Sequence, residues 1–154
     1  MGLSFLTHPE VIILAKFVVA MLLGAVIGLE REAADKPAGL RTHMLVVGSS
    51  CLLVSLNESL ITPLSGDPMR VVHGIITGIA FLGAGTIIRS ASGERVEGLT
   101  TAASIFLSSV VGIYVGLSKF LAAAGITLLT VLVLHYLGRL SHRISDHRQK
   151  NSKA

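Results

Sequence analysis

"GLEREAADKPAGLRTHMLV", residues 28–46, gathers Glu30, Arg31, Glu32, Asp35, Lys36, Arg41 and His43 into one window of an otherwise apolar chain. Before it runs "VIILAKFVVAMLLGAVIGL" (11–29), and after it "MLVVGSSCLLVSL" (44–56). A charged window between two apolar runs is the pattern of a hairpin that enters lipid, turns at the headgroups and returns. The composition agrees: of 154 residues, 51% are hydrophobic and 14% charged, against roughly 25% charged in an ordinary soluble domain. So small a globule leaves a large share of its surface facing water. That much apolar surface therefore needs lipid as its solvent.

The first run reads as a retained span and not a cleaved leader. The opening "MGLSFLTHPE" has no Lys or Arg, and Glu-Arg-Glu follows the run where small residues would mark a cleavage site. Met1-Gly2 begins like a myristoylation signal, but Leu6 stands where Ser or Thr is needed. The single cysteine, Cys51, has no disulfide partner and reads as a packed small residue.

With about 20 apolar residues per crossing, spans are expected near 11–29, 43–61, 70–89, 99–117 and 120–138. The fold class is all-α, a polytopic bundle of five transmembrane helices over residues 1–140. A short basic tail over 141–154 reads as a solvated, membrane-skimming end. Between Leu99 and Gly138 the clear break is "GLSK" (116–119). An unbroken helix of that length would measure about 60 Å, twice the hydrocarbon thickness, so the chain must fold back there.

Basic residues orient the bundle. Arg31, Lys36, Arg41, Arg89, Arg95 and the tail residues Arg139, Arg143, Arg148, Lys150 and Lys153 fall on one side, and Lys16, Arg70 and Lys119 on the other. Lys and Arg stay cytoplasmic, which puts the N-terminus outside and the C-terminus in the cytoplasm.

An offset of 59 residues brings Pro9 onto Pro68, "LGA" (23–25) onto "LGA" (82–84), "GLRT" (39–42) onto "GLTT" (98–101), and Ser49-Ser50 onto Ser108-Ser109. The common order suggests two helical hairpins running the same way, with the fifth helix added; two similar answers to one helix-start problem remain the alternative. Gly24/Gly28, Gly74/Gly78 and Gly112/Gly116 are each four apart, one face per helix. Lipid gives helices no hydrophobic reason to associate, so such faces serve close backbone approach. Packing inside the chain is the preferred use, a homodimer face the other.

Ionisable groups in or beside lipid ask for a partner or a function. Asp67 suits the N-cap of the third span, with Pro68 in its first turn. Arg70 then sits at the positive end of a helix dipole and calls for a carboxylate such as Asp67 or Glu58. Gly39–Thr42 and Gly98–Thr101 read as helix starts, with Thr hydroxyls available to exposed N–H groups. Side by side, with Arg41 and Arg89 near them and Glu30 as counter-ion, they make either a site for an anion, a lipid headgroup or a metal-linked ligand, or a salt-bridge lock between hairpins. The lock is preferred. Lys16 is expected to snorkel outward. Asn57 and Glu58 lie near the outer end of span two, and His73 and His135 read as packed or interfacial. No nucleophile–base pair, phosphate loop or dinucleotide fingerprint is visible, and an enzyme is not expected.

"LGAVIGLERE", "KPAGLRTHMLV", "DPMRVVHGIITGIAFLGAGTIIR" and "GLTTAASIFLSSVVGIYVG", taken in order over residues 12–117, resemble the signature of the MgtC/SapB family of bacterial inner-membrane proteins. The resemblance implies functional positions at Glu30, Arg31, Glu32, Gly39, Arg41, Thr42, Asp67, Pro68, Arg70, Gly83, Gly85, Arg89, Thr100 and Thr101. It implies links to magnesium and ion homeostasis and to survival of pathogens in host cells. It also implies a partner complex such as the F-type ATP synthase or an ion transporter; the family is not generally regarded as the transporter itself. Many members continue into a soluble C-terminal domain of the ACT type. This sequence reads as a short form, so roles needing that domain are not carried over. No cofactor or nucleic acid is implied, no metal ligand is assigned, and membrane lipids are expected neighbours. Two functions follow: a regulatory or binding membrane protein, preferred because charges gather at span ends, or a small ion transporter or channel using Ser49, Ser50, Thr77, Ser108 and Ser109 between the hairpins.

Overall fold

The computed structural model describes residues 8–60, 67, 69–89 and 96–138, without the side chains at 58–60, 88 and 89. The basic tail 141–154, Pro68, Arg95 and the side chains of Glu58 and Arg89 lie outside the described residues. The described residues form five helices: α1 (Pro9–Ala33), α2 (Leu40–Leu60), α3 (Met69–Thr86), α4 (Leu99–Gly116) and α5 (Phe120–Leu132), which widens into a π-helical turn, Val133–Leu137. The fold is an all-α bundle. A two-residue antiparallel ribbon, Ile88–Arg89 with Val96–Glu97, joins α3 to α4, where the sequence had shown only a loop.

Local chemistry sets the helix ends. Pro9 opens α1, where its missing N–H is no loss. α1 closes in a Schellman motif: Asp35 takes a left-handed conformation (φ 53°), and the N–H groups of Asp35 and Lys36 return to the carbonyls of Glu32 and Arg31. α4 closes the same way through Ser118 (φ 59°), with Ser118 and Lys119 donating to Val115 and Tyr114. That motif is the fold-back expected at "GLSK". Gly98 (φ 89°) starts α4 with the Thr86 carbonyl pressed where a Cβ would stand, so a side chain is excluded there.

Helices α1, α3, α4 and α5 (with its π turn) are long and apolar enough to cross a membrane. α2 is diluted by Arg41, Thr42, His43, its serines and Asn57, yet its 21 residues would extend about 31 Å. It packs chiefly against α1 and α4, and α4 is the hub that touches all four other helices. One core cluster joins Ala20, Ile27, Val47, Cys51, Val111, Val115 and Ala123; a second joins Val46, Val54, Ile75, Ile79, Ile105 and Ile113. Leu121, Phe81, Leu45 and Leu129 stand outward and exposed, as side chains solvated by lipid do.

Contacts fix the register of α2 and α4 at a constant offset of 65 residues: His43 meets Ser108, the Val47 carbonyl meets Gly112, and the Cys51 carbonyl meets Gly116. The two helices therefore run parallel. The sequence repeat has an offset of 59, six residues less, so the start of α4 projects about 9 Å beyond the start of α2. Gly39–Thr42 and Gly98–Thr101 do not sit at one level, and the side-by-side pair of helix starts expected from sequence does not form.

Candidate functional site

The charged turn is built on the last turn of α1. Arg31 is almost wholly buried, and its Nε and Nη2 lie 2.6 and 2.5 Å from one oxygen of Glu30. Neighbouring helix residues normally point apart; here both side chains curl together under the bundle. The helix dipole explains the dependence. A cation is favoured at a C-terminus and a carboxylate is not, so Glu30 needs Arg31 there. Sequence reasoning had given Glu30 to Arg41 or Arg89. Arg41 is instead exposed, although the Gly28–Leu40 contact holds the start of α2 against the end of α1.

Glu32 takes a different task. Its Oε2 accepts the Leu40 N–H at 2.9 Å, so a carboxylate from α1 caps the N-terminus of α2. Gly39 lies against that carboxylate, so a Cβ there would have to push the Glu32 side chain out of its capping position. The Thr-hydroxyl caps expected from sequence are not seen: α4 has no side-chain cap, Thr42 is half-buried, Thr100 exposed and Thr101 buried. Asp67 does cap α3, accepting the Met69 N–H at 2.9 Å. Arg70 is exposed and has no ion pair among the described residues, with the Glu58 side chain outside them.

Between α1, α2 and α4 runs a polar seam. His43 is fully buried, its Nδ1 2.8 Å from the Ser108 hydroxyl. Ser108 donates to the Ser104 carbonyl at 2.9 Å and Ser104 to the Thr101 carbonyl at 2.8 Å. With its proton directed at Ser104, the Ser108 oxygen accepts from His43, which sets the imidazole proton on Nδ1. Nε2 is left buried without a hydrogen bond. A serine and a histidine at this distance resemble a nucleophile and base, but both are sealed in the core and the hydroxyl is already engaged.

The seam also locks the register. Moving α4 outward by one turn would drive the Ser108 side chain into the Val47 carbonyl, where only Gly112 fits. Moving it inward would leave His43 facing Gly112, which has no hydroxyl.

At the other end of the seam, Lys16 corrects another expectation. It does not snorkel outward but is buried, with Nζ donating to the Gly116 carbonyl at 2.8 Å. The last carbonyls of α4 have no partner within the helix and carry partial negative charge, which draws the ammonium inward.

Glycines divide by face. A Cβ on Gly24 would stand 2.7 Å from the His43 carbonyl, and one on Gly28 2.6 Å from the Leu40 Cα. Gly112 and Gly116 seat α4 against α2 in the same way, and Gly83 rests more loosely on Ala102. Among the described residues Gly74, Gly78 and Gly85 meet nothing within 4 Å, and the packing role expected of them is not seen there, because α3 turns Ile75, Ile79 and Gly83 inward instead.

Sequence reasoning missed the His43–Ser108 pair and the inward Lys16. Their partners are 65 and 100 residues away, and no local pattern announces such distances. Among the described residues no group of three His, Cys, Asp or Glu could hold a metal ion. His73 is exposed, and His135 stands edge-on to Tyr136 at 5.5 Å.

Comparison with known proteins bears on the whole chain. The chain is 36% identical to SapB of Bacillus subtilis over 96% of its own length and 65% of that protein. It is 38% identical to MgtC of Salmonella typhimurium over 82% of its length and 53% of that protein. Against YhiD of Escherichia coli, provisionally named a magnesium transporter, identity is 32% over 86% of the chain and 65% of the relative. It thus spans about half to two thirds of the curated relatives it matches. No solved structure matches it. The MgtC family match covers residues 17–143, taking in the charged turn, the His43–Ser108 pair and all of the helices but the first turns of α1, and the chain belongs to the MgtC family.

Proposed function

We propose that this multi-pass membrane protein has a regulatory or binding role in magnesium and ion homeostasis, exercised through the charged helix ends at its cytoplasmic face. It sits in the bacterial inner membrane with the N-terminus outside, and it is not an enzyme. The observation that carries this reading is how the polar groups divide. Ionisable residues cluster at helix ends, with Glu30–Arg31 paired and Glu32 capping α2. Inside the bundle the hydroxyls of Ser104, Ser108, Ser109, Thr127 and Thr130 close on carbonyls of their own helices. These hydroxyls are turned back onto their own helices, whereas a passing ion must trade its hydration for oxygens that converge on one path. Arg41 and Lys36, exposed beside the turn, are the side chains offered to membrane lipids, to a second copy, or to a complex such as the F-type ATP synthase or an ion transporter.

The second reading, a small ion transporter or channel, draws support from the name that YhiD carries. Purified protein in liposomes separates the two. Magnesium, potassium and proton fluxes are expected to stay at the level of empty vesicles. Robust flux abolished by both Arg41→Ala and Asp67→Ala would overturn the regulatory reading.

A further inference from the structure

We draw no further inference here: the strongest candidate, the outward face of α3 with Gly74, Gly78 and Gly85, is a small-residue stripe that meets nothing among the described residues, and nothing in the structure shows what covers it.

Discussion

Two alanine substitutions, Gly28→Ala and Gly74→Ala, test whether the glycine faces are used as described. A methyl group on Gly28 would stand 2.6 Å from the Leu40 Cα, 3.0 Å from the Leu40 carbonyl oxygen and 3.2 Å from that of Gly39. All three are backbone atoms and cannot swing aside as a side chain would. To regain ordinary contact at roughly 3.5–4 Å, α1 and α2 must separate by about 1 Å, and overpacking of this kind costs about 1–3 kcal/mol. A methyl group on Gly74 meets nothing within 4 Å. Both variants gain the same helix-propensity advantage of alanine over glycine, about 1 kcal/mol, so it cancels when they are compared. Gly28→Ala is therefore expected to be less stable than Gly74→Ala by about 1–3 kcal/mol. Reversible unfolding of the two purified proteins in the same detergent, followed by circular dichroism, reads this difference directly. Equal stabilities, or Gly74→Ala as the weaker protein, would refute the close α1–α2 approach.

Further outcomes follow from the site. Arg31→Met alone leaves the half-buried Glu30 unpaired and is expected to cost about 3–5 kcal/mol, whereas Glu30→Gln with Arg31→Met recovers most of it; a double-mutant cycle of unfolding free energies measures the coupling. Glu32→Ala removes the cap on α2 and is expected to cost about 0.5–2 kcal/mol, with faster amide hydrogen exchange at Leu40 as its local signature. Ser108→Ala leaves the His43 Nδ1 buried without an acceptor, a loss of about 1–3 kcal/mol; thermal unfolding compared with Ser49→Ala, at an exposed position, is the check.

Much of the fold was legible before any coordinates. Apolar runs of spanning length bounded by charge require a helical hairpin, because lipid satisfies no backbone hydrogen bond and only helices or closed barrels satisfy them internally. "DPMR" announced the Asp67 cap, and "GLSK" announced the turn between α4 and α5, since both are settled by neighbours within a few residues. The charged window at 28–46 was also visible as the place where chemistry gathers.

What tertiary structure alone decided is who meets whom in that window. Arg31 takes Glu30, Glu32 caps α2, and Arg41 is left exposed, while the start of α4 projects about 9 Å beyond the start of α2. That stagger follows from the contacts of Gly112 and Gly116 with α2 and from the His43–Ser108 bond, each joining positions far apart in the chain. The same is true of Lys16, which a sequence reader sends toward water and the folded protein turns toward the Gly116 carbonyl at the end of α4. Periodicity and end signals are properties of a segment and can be read from it. Register between segments depends on surfaces that exist only after the helices have met.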